Sequence, residues 1–425
     1  MLSLTSKCAL NIIFFFSLFL VLLFISMWRS NSPITNPIKN FFTSYVLILS
    51  HEQEFSDYDD NFLKIIPSGT KPAHRLKNNE FFKSKLKIIL FWNSWNYFGP
   101  LLGNAPFVDS QCPITSCIFT FDQSLIEQSD VVVFYIQTMT SFPTNRNSHQ
   151  RFVLFQLETP TTDNLPRILD DYRVNHRYFN WTMTYRWDSD IVYRGDYGYI
   201  VEKSAISSSG IRSRQLKDWS FKNGKTPSRE RKNAMEDIVK RKTKLVAWFV
   251  SHCFTPIRRE EYVYQLRQYI PIDIFGGCNN RDCPYDCNEM LSNDYKFYLA
   301  FENSWCQDYV TEKFYRPLKH NTVPIVMGGA DYDRFAPPNS YINARDFDSP
   351  KKLAEYILFL NNTDSLYMRY FEWKKHFDIL LPDHYGLCDL CRMAHDTTAP
   401  SKIYSDIKQW WIDRSGCENN TMKFF

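Results

Sequence analysis

Short runs of consecutive apolar residues alternate along the chain with polar, helix-compatible stretches. They are LKIILFW (86–92), DVVVFYI (130–136), FVLFQLE (152–158), TKLVAWFV (243–250), KFYLAFEN (296–303) and TVPIVMG (322–328). Runs this short and this continuous fit strands that bury both faces. Between some of them, RREEYVYQLRQYI (258–270) and KKLAEYILFLNN (351–362) return their apolar positions at helical spacing. Strand, helix, strand predicts an α/β fold with parallel sheets. The polar stretch 204–242 breaks the rhythm and predicts a connector, so 81–242 and 243–425 read as two α/β domains facing a cleft. In such sheets ligands collect beyond the carboxyl ends of the strands.

One apolar run is of another kind. Residues 9–28, ALNIIFFFSLFLVLLFISMW, carry no charge between Lys7 and Arg29, about the length that a hydrocarbon core of roughly 30 Å requires. They predict a single transmembrane helix behind a cytoplasmic tail, 1–8. The run is long for a signal peptide and no A-x-A-like site follows, which favours an uncleaved anchor. Residues 29–80 mix Asn, Ser, Pro and acidic residues and read as a stem. Of 11 Cys, ten lie beyond the anchor, and N-x-Ser/Thr sequons occur at Asn180, Asn361 and Asn419. An even set of cysteines together with sequons fits an oxidising lumen, hence a type II arrangement with a luminal body. A hydrophobic content of 44% with 17% aromatic residues supplies cores for two domains, and a net charge of +4 is too small for a nucleic-acid track.

The chemistry concentrates in FENSWCQDYVTEKFYRPLKHNTVPIVMGG (301–329), where Glu302, Asn303, Glu312 and Lys313 crowd between two buried strands. Asp308 is a candidate N-cap, and a helix starting there places Glu312 and Lys313 in its first turns. Pro317 is then expected to bend or end that helix. Free amides at a helix start beside a lysine make a phosphate site, with Arg186 of TYRWDSD as a second cation. The plainer alternative is an exposed lysine paired with a neighbouring glutamate. Glu158 closes FVLFQLE at the carboxyl end of its strand, as a solvated capping carboxylate or as a site residue. DSD (188–190), DYD (331–333) and DFD (346–348) match the D-x-D pattern that holds a divalent ion in many glycosyltransferases, but such tripeptides also arise by chance. His384, Cys388, Cys391 and His395 are spaced as H-x3-C-x2-C-x3-H, a zinc pattern in cytosol and a disulfide set in a lumen. The aromatic residues of FWNSWNYFG (91–99) suit stacking on a sugar or a place in the core.

FENSWCQDYVTEKFY with VPIVMGG strongly resembles the donor-binding signature of the α-1,3-fucosyltransferases. Further matches follow in order: CPITSCIFTFDQSLIEQSDVVVFY (112–135), LETPT (157–161), FNWTMTYRWDSDI (179–191), LVAWFVSHC (245–253) and CDLC (388–391). WCQDYVTEKFYRPLK and VAWFVSHC look more like invertebrate members. The resemblance implies a GT-B fold of two Rossmann-like domains, GDP-fucose as donor and inverting transfer to O3 of a GlcNAc residue on a glycoprotein or glycolipid glycan. It implies Glu158 as general base, a donor site of Tyr185, Arg186, Asn303, Tyr309, Glu312 and Lys313, and bridges from Cys388 and Cys391 back to Cys112 and Cys117. With Lys313 and Arg186 on the diphosphate no metal is required, which leaves room for stimulation by Mn²⁺ or Mg²⁺. It also implies a place in the Golgi cisterna membrane. YIQTMTSF (135–142) and IVYRGDYGYI (191–200) depart from the vertebrate pattern and leave the acceptor open. The rival readings are another nucleotide-sugar transferase on the same fold and an inactive, anchored glycan-binding protein.

Overall fold

The continuous apolar runs pair side by side because each has two faces to bury, and they do so in two separate sheets. In the computed structural model β1 (Lys87–Phe91), β2 (Cys117–Thr120), β3 (Val131–Tyr135), β4 (Arg151–Gln156), β5 (Trp181–Thr184) and β6 (Ile191–Val192) form the first, in the order β2-β1-β3-β4-β5-β6. Every neighbouring pair in it is parallel. β7 (Tyr199–Glu202) and a short hairpin of β8 (Ile206–Ser207) and β9 (Gly210–Ile211) follow. The second sheet has β10 (Lys244–Phe249), β11 (Ile272–Phe275), β12 (Tyr295–Phe301), β13 (Val323–Met327) and β14 (Ile342–Asn343) in the order β11-β10-β12-β13-β14, again all parallel. The expected α/β architecture with parallel sheets is therefore present.

The structure describes residues 86–418 except 94–101, 111, 162–166, 194–196, 203–205, 208–209, 212–236, 238, 338, 381–384 and 399, all within one compact unit, Gly69–Phe425. The 9–28 run, the 29–80 stretch, most of the 204–242 connector, His384 and Asn419 lie outside the described residues. Among the described residues no helix is long and apolar enough to cross a membrane.

The six apolar runs all contain strands, and the two helical patterns appear as Arg259–Leu266 and Pro350–Asn361. β3 and β12 are buried at every position, as central strands of parallel sheets should be. Lys296 is tolerated inside β12 because its ammonium reaches the Asn361 carbonyl at 3.0 Å and Asp364 at 3.3 Å. One apolar cluster runs unbroken from Ile89, Val132 and Leu154 in the first sheet to Ala247, Tyr298 and Ala300 on the inner face of the second. The outer face of the second sheet buries a cluster of its own under Val263, Leu353 and Ile357.

The end of the chain returns to the first half. β15 (Phe377–Leu380) pairs antiparallel with β7, and the helix Tyr385–His395 is tied down by Cys112–Cys388 and Cys117–Cys391. Tyr404 then donates its N–H to Phe179 at 2.9 Å and accepts from Arg177 at 3.0 Å. Cys417 closes on Cys306 in the second half. With Cys253–Cys278 and Cys283–Cys287, all ten cysteines beyond Cys8 are paired. The Cys117 and Cys391 sulfurs lie beside His395 but are bonded to each other, so that spacing serves covalent closure.

The sequon at Asn180 is corrected by its surroundings. Its side chain is buried, its Oδ1 accepts from Phe152 N at 2.8 Å, and its amide nitrogen donates to Lys402 O at 2.9 Å. A glycan on that nitrogen has no room in the folded protein. Asn361 instead ends a helix in a half-buried position.

The first two disulfides close almost the same loop, with sequence separations of 276 and 274 residues. With one intact, the other closes only about ten further residues. Chain-entropy arithmetic then gives a loss of about 2–3 kcal/mol for Cys117→Ala with Cys391→Ala, and about 8 kcal/mol when Cys112→Ala and Cys388→Ala are added. Denaturant unfolding of the full chain in detergent should show the combined loss exceeding the sum of the separate ones; simple additivity would contradict the shared loop.

Candidate active site

The site forms where β10, β11 and β12 end. Phe249 to His252 leave β10, Phe275 and Gly276 leave β11, Asn303 follows β12, and Glu312, Lys313 and Arg316 come from the next helix. Together they line a cavity of about 350 Å³. Two glycines let the backbone turn this tightly. Gly276 has φ +100°, and a Cβ on it would stand 2.7 Å from the Val250 carbonyl. A Cβ on Gly329 would stand 2.8 Å from the backbone of Trp305 and Cys306.

The fixed point is Glu302, whose carboxylate is completely buried one residue beyond β12. It accepts from Thr311 N at 2.8 Å and from the Thr311 hydroxyl at 2.8 and 3.0 Å. Lys313 Nζ stands 3.6 Å from Glu302 and 3.2 Å from Glu312, and reaches Thr311 Oγ1 at 3.0 Å. Thr311 is thus the N-cap of the helix Glu312–Lys319, accepting from Lys313 N at 3.4 Å.

Asp308 is not the cap. It has φ +64°, and its carboxylate accepts from Trp187 N at 3.1 Å and faces Arg334 at 3.6 Å, so it ties the two halves together. The helix starts four residues later and runs through Pro317 to Lys319. A proline at that depth forfeits one backbone bond, which a short helix packed by Phe314, Tyr315 and Leu318 tolerates.

Burial pushes the Glu302 carboxyl up, partly offset by Lys313 and the Thr311 donors. Burial also acts to raise Glu312, but Lys313 outweighs it and holds that carboxyl below its ordinary value. For Lys313 burial acts to lower the ammonium, and Glu302 and Glu312 reverse the sign. The lysine is therefore fixed as a cation facing the cavity. Arg259 and Arg316 join it on the lining, with Arg259 held by the carbonyls of Phe301 and His252. Asn303 Oδ1 is buried with no partner among the described residues, and so is Arg259 Nε. Three cations and an unused guanidinium N–H in one concave site fit a polyanionic ligand such as a diphosphate, while the free Asn303 Oδ1 is an acceptor suited to a hydroxyl or N–H.

The other expected residues fall in three places. Glu158 follows β4 of the first sheet, and its Oε2 accepts from the Tyr309 hydroxyl at 3.3 Å. Burial pushes its carboxyl up, against the pull of Lys313 and the Tyr309 bond. Tyr309 is buried behind the cavity rather than on its lining, as is Tyr185, whose ring packs at 5.1 Å from Tyr309 and 5.8 Å from Trp411. Arg186 is not brought to the cavity at all. Its guanidinium forms a two-point pair with Asp188 at 2.8 and 2.7 Å, donates to Trp410 O at 2.7 Å and lies over the Trp410 ring at 4.4 Å. The first D-x-D is spent in that contact and in Asp190 holding Lys402 and Tyr404, and none of the three D-x-D runs lines the cavity. Arg259, Arg316 and His252 are the residues that sequence reasoning missed. Arg316, three positions after Lys313 on one helix face, was the one with a readable signal.

The chain thus has two parallel α/β sheets, a cation-lined cavity at the carboxyl ends of the second, and a buried carboxylate presented by the first. Residues 239–410 match the family model described as glycosyltransferase family 10 (fucosyltransferase) C-term, and residues 84–198 match the one described as fucosyltransferase, N-terminal. The chain is 34% identical to glycoprotein 3-alpha-L-fucosyltransferase A of Drosophila melanogaster, over 89% of this chain and 69% of that one. It is also 34% identical to alpha-(1,3)-fucosyltransferase C of the same organism, over 80% of this chain and 81% of that one. A solved structure of an alpha1,3-fucosyltransferase with GDP-fucose aligns with a TM-score of 0.46 at 18% identity, over 80% of this chain and 97% of that one. The chain belongs to glycosyltransferase family 10, the fucosyltransferases.

Thr311 carries the helix cap, a buried carboxylate and the lysine at once. Thr311→Val should lower the unfolding free energy by about 2–4 kcal/mol, since it strips a buried charge of its hydroxyl donor, whereas Thr311→Ser should cost less than about 1 kcal/mol. Urea unfolding of both variants checks this, and equal losses would remove the hydroxyl from the account.

Proposed function

We propose that this protein is an α-1,3-fucosyltransferase that moves L-fucose from GDP-fucose to O3 of a GlcNAc residue on a protein-linked or lipid-linked glycan. The observation that carries the reading is a buried carboxylate, Glu158, presented by the first half and within electrostatic reach of Lys313 and Glu312 on the cation-lined cavity of the second, in a chain whose relatives bear that activity in their names.

Breaking the bond between fucose and GDP leaves negative charge on the diphosphate while the sugar becomes oxocarbenium-like. Lys313, Arg259 and Arg316 line the cavity where that charge would grow. They take over the second diphosphate contact expected of Arg186. Glu312, held ionised by Lys313, suits the positive sugar. Glu158, raised by burial, suits a group that takes a proton from the acceptor hydroxyl as the new bond forms on the opposite face. One carboxylate pushed up and one held down is the pattern by which neighbouring acids take different roles. Because this cation set can balance a diphosphate, no metal is needed for the step, and stimulation by Mn²⁺ or Mg²⁺ would act elsewhere. The apolar run at 9–28 and ten paired cysteines support a type II protein of the Golgi cisterna membrane with the catalytic region in the lumen. Asn361 and Asn419 are the proposed glycan acceptors of the chain itself.

The full chain in detergent, given GDP-fucose and N-glycan core, N-acetyllactosamine and LacdiNAc acceptors, should produce an α-1,3 linkage on one of them, with turnover persisting in EDTA. Glu158→Gln should lower kcat by roughly 10²–10⁴-fold while GDP still binds, and Lys313→Ala should raise the KM for GDP-fucose by roughly tenfold or more. Glycan binding without any fucose transfer would instead favour an inactive binding protein.

A further inference from the structure

We propose that Thr159, Thr161 and Ser304 are positioning residues for the transfer: their three hydroxyls, two from the first half and one from the second, fasten the loop that carries Glu158 to the segment that carries Asn303, and so set the distance from base to donor. The inference rests on the reading of Glu158 as base.

The loop side of the contact is stiff in its own right. Gln156 Oε1 accepts from Leu157 N at 3.0 Å and Glu158 N at 3.3 Å, and the Tyr197 hydroxyl donates to Leu157 O at 2.8 Å. Thr159, Pro160 and Thr161 come next. The proline ring fixes its own φ and restricts Thr159 to extended backbone. The two threonines are therefore presented as a rigid pair, with their hydroxyls 3.0 Å apart.

The far side is fixed as well. Ser304 lies between Glu302, whose N–H donates to Met327 O at 2.9 Å and whose carboxylate is held by Thr311, and Cys306, which is bonded to Cys417. Between those anchors Ser304 Oγ accepts from the hydroxyls of Thr159 at 2.8 Å and Thr161 at 2.9 Å. Thr159 is 1% exposed and Ser304 2%, so water does not compete for this contact. Two bonds converging on one oxygen fix a direction as well as a distance, which a single bond does not. Glu158 immediately precedes one partner and Asn303 the other.

The base must reach the acceptor oxygen while that oxygen is in line with the fucose carbon, and a misplacement of about 1 Å can cost roughly 10²-fold in rate. None of the three hydroxyl residues lines the cavity. Loss of the contact should therefore appear in kcat and spare donor binding.

Thr159→Val deletes one hydroxyl from a side chain of nearly the same shape, and Thr159→Ser keeps it. For the full chain in detergent, Thr159→Val should lower kcat by roughly 10–100-fold with the KM for GDP-fucose within about threefold of wild type, and Thr159→Ser should recover most of the rate. Ser304→Ala leaves the two threonine hydroxyls bonded to each other and should lower kcat to a similar extent. Adding Thr159→Val to it should cost little more, because both changes break the same contact. Where Thr159→Val folds poorly, Thr161→Val tests the second arm. Unchanged kcat in these variants, losses that multiply in the pair, or a loss confined to KM would each overturn the proposal. Glu158→Gln separates the two readings. If that variant keeps wild-type turnover, Glu158 is not the base and both fall; if it loses turnover while Thr159→Val keeps it, only the positioning role falls.

Discussion

A carboxylate taken wholly out of water must be neutralised or fully hydrogen-bonded, and Glu302 imposes that demand at the centre of the molecule. Its partners are not scattered. Thr311 gives it an amide and a hydroxyl, and Lys313 stands 3.6 Å away. Satisfying one buried charge therefore decides where the following helix begins and which way its lysine points. The cavity charge is a by-product of the packing: a lysine fastened between Glu302 and Glu312 cannot retreat into solvent, so it stays aimed at whatever anion enters.

A second constraint follows from building one site across two sheets. Glu158 comes from the loop after β4 and the cavity cations from the second half, so the two halves must keep register for the Tyr309–Glu158 hydrogen bond to form. The chain secures this with several ties of different kinds. Asp308 spans from Trp187 to Arg334, Ser304 collects two threonine hydroxyls, and the terminal segment is fixed to the first half by Cys112 and Cys117 and to the second by Cys306. Arg186 belongs to this system. Paired with Asp188 and bonded to Trp410 O, it fastens the returning segment.

Where burial is strongest, the same tyrosine-rich packing tunes the electrostatics. Tyr185, Tyr197 and Tyr309 surround Glu158 with aromatic surface, and that burial raises its carboxyl against the pull of Lys313 and the Tyr309 hydroxyl, while Glu312 is held down by an adjacent ammonium. Two carboxylates thus carry opposite shifts within one cleft, and neither shift is a property of the residue type.

The sequence by itself determined what rests on local pattern. Buried strands announce themselves because both faces must be apolar, as in VVVFY and YKFYLAF, whereas CIFT, WTMT and IDIF were too short and too mixed with polar residues to stand out. Asn303, Glu312 and Lys313, singled out by the family motifs, line the cavity, and Glu158 follows β4; each lies at the end of a strand or the start of a helix that the pattern already marks. Only the tertiary structure decided what depends on partners distant in the chain. It moved the cap from Asp308 to Thr311, because Trp187 N and Arg334 take the Asp308 carboxylate, and it set Arg186 against Trp410, 224 positions away. It buried Asn180 under Lys402, and it brought Arg259 to the cavity through the two carbonyls that hold it. Charge and hydrogen-bond demands are settled by whichever partner the fold delivers, and no spacing along the chain records that choice.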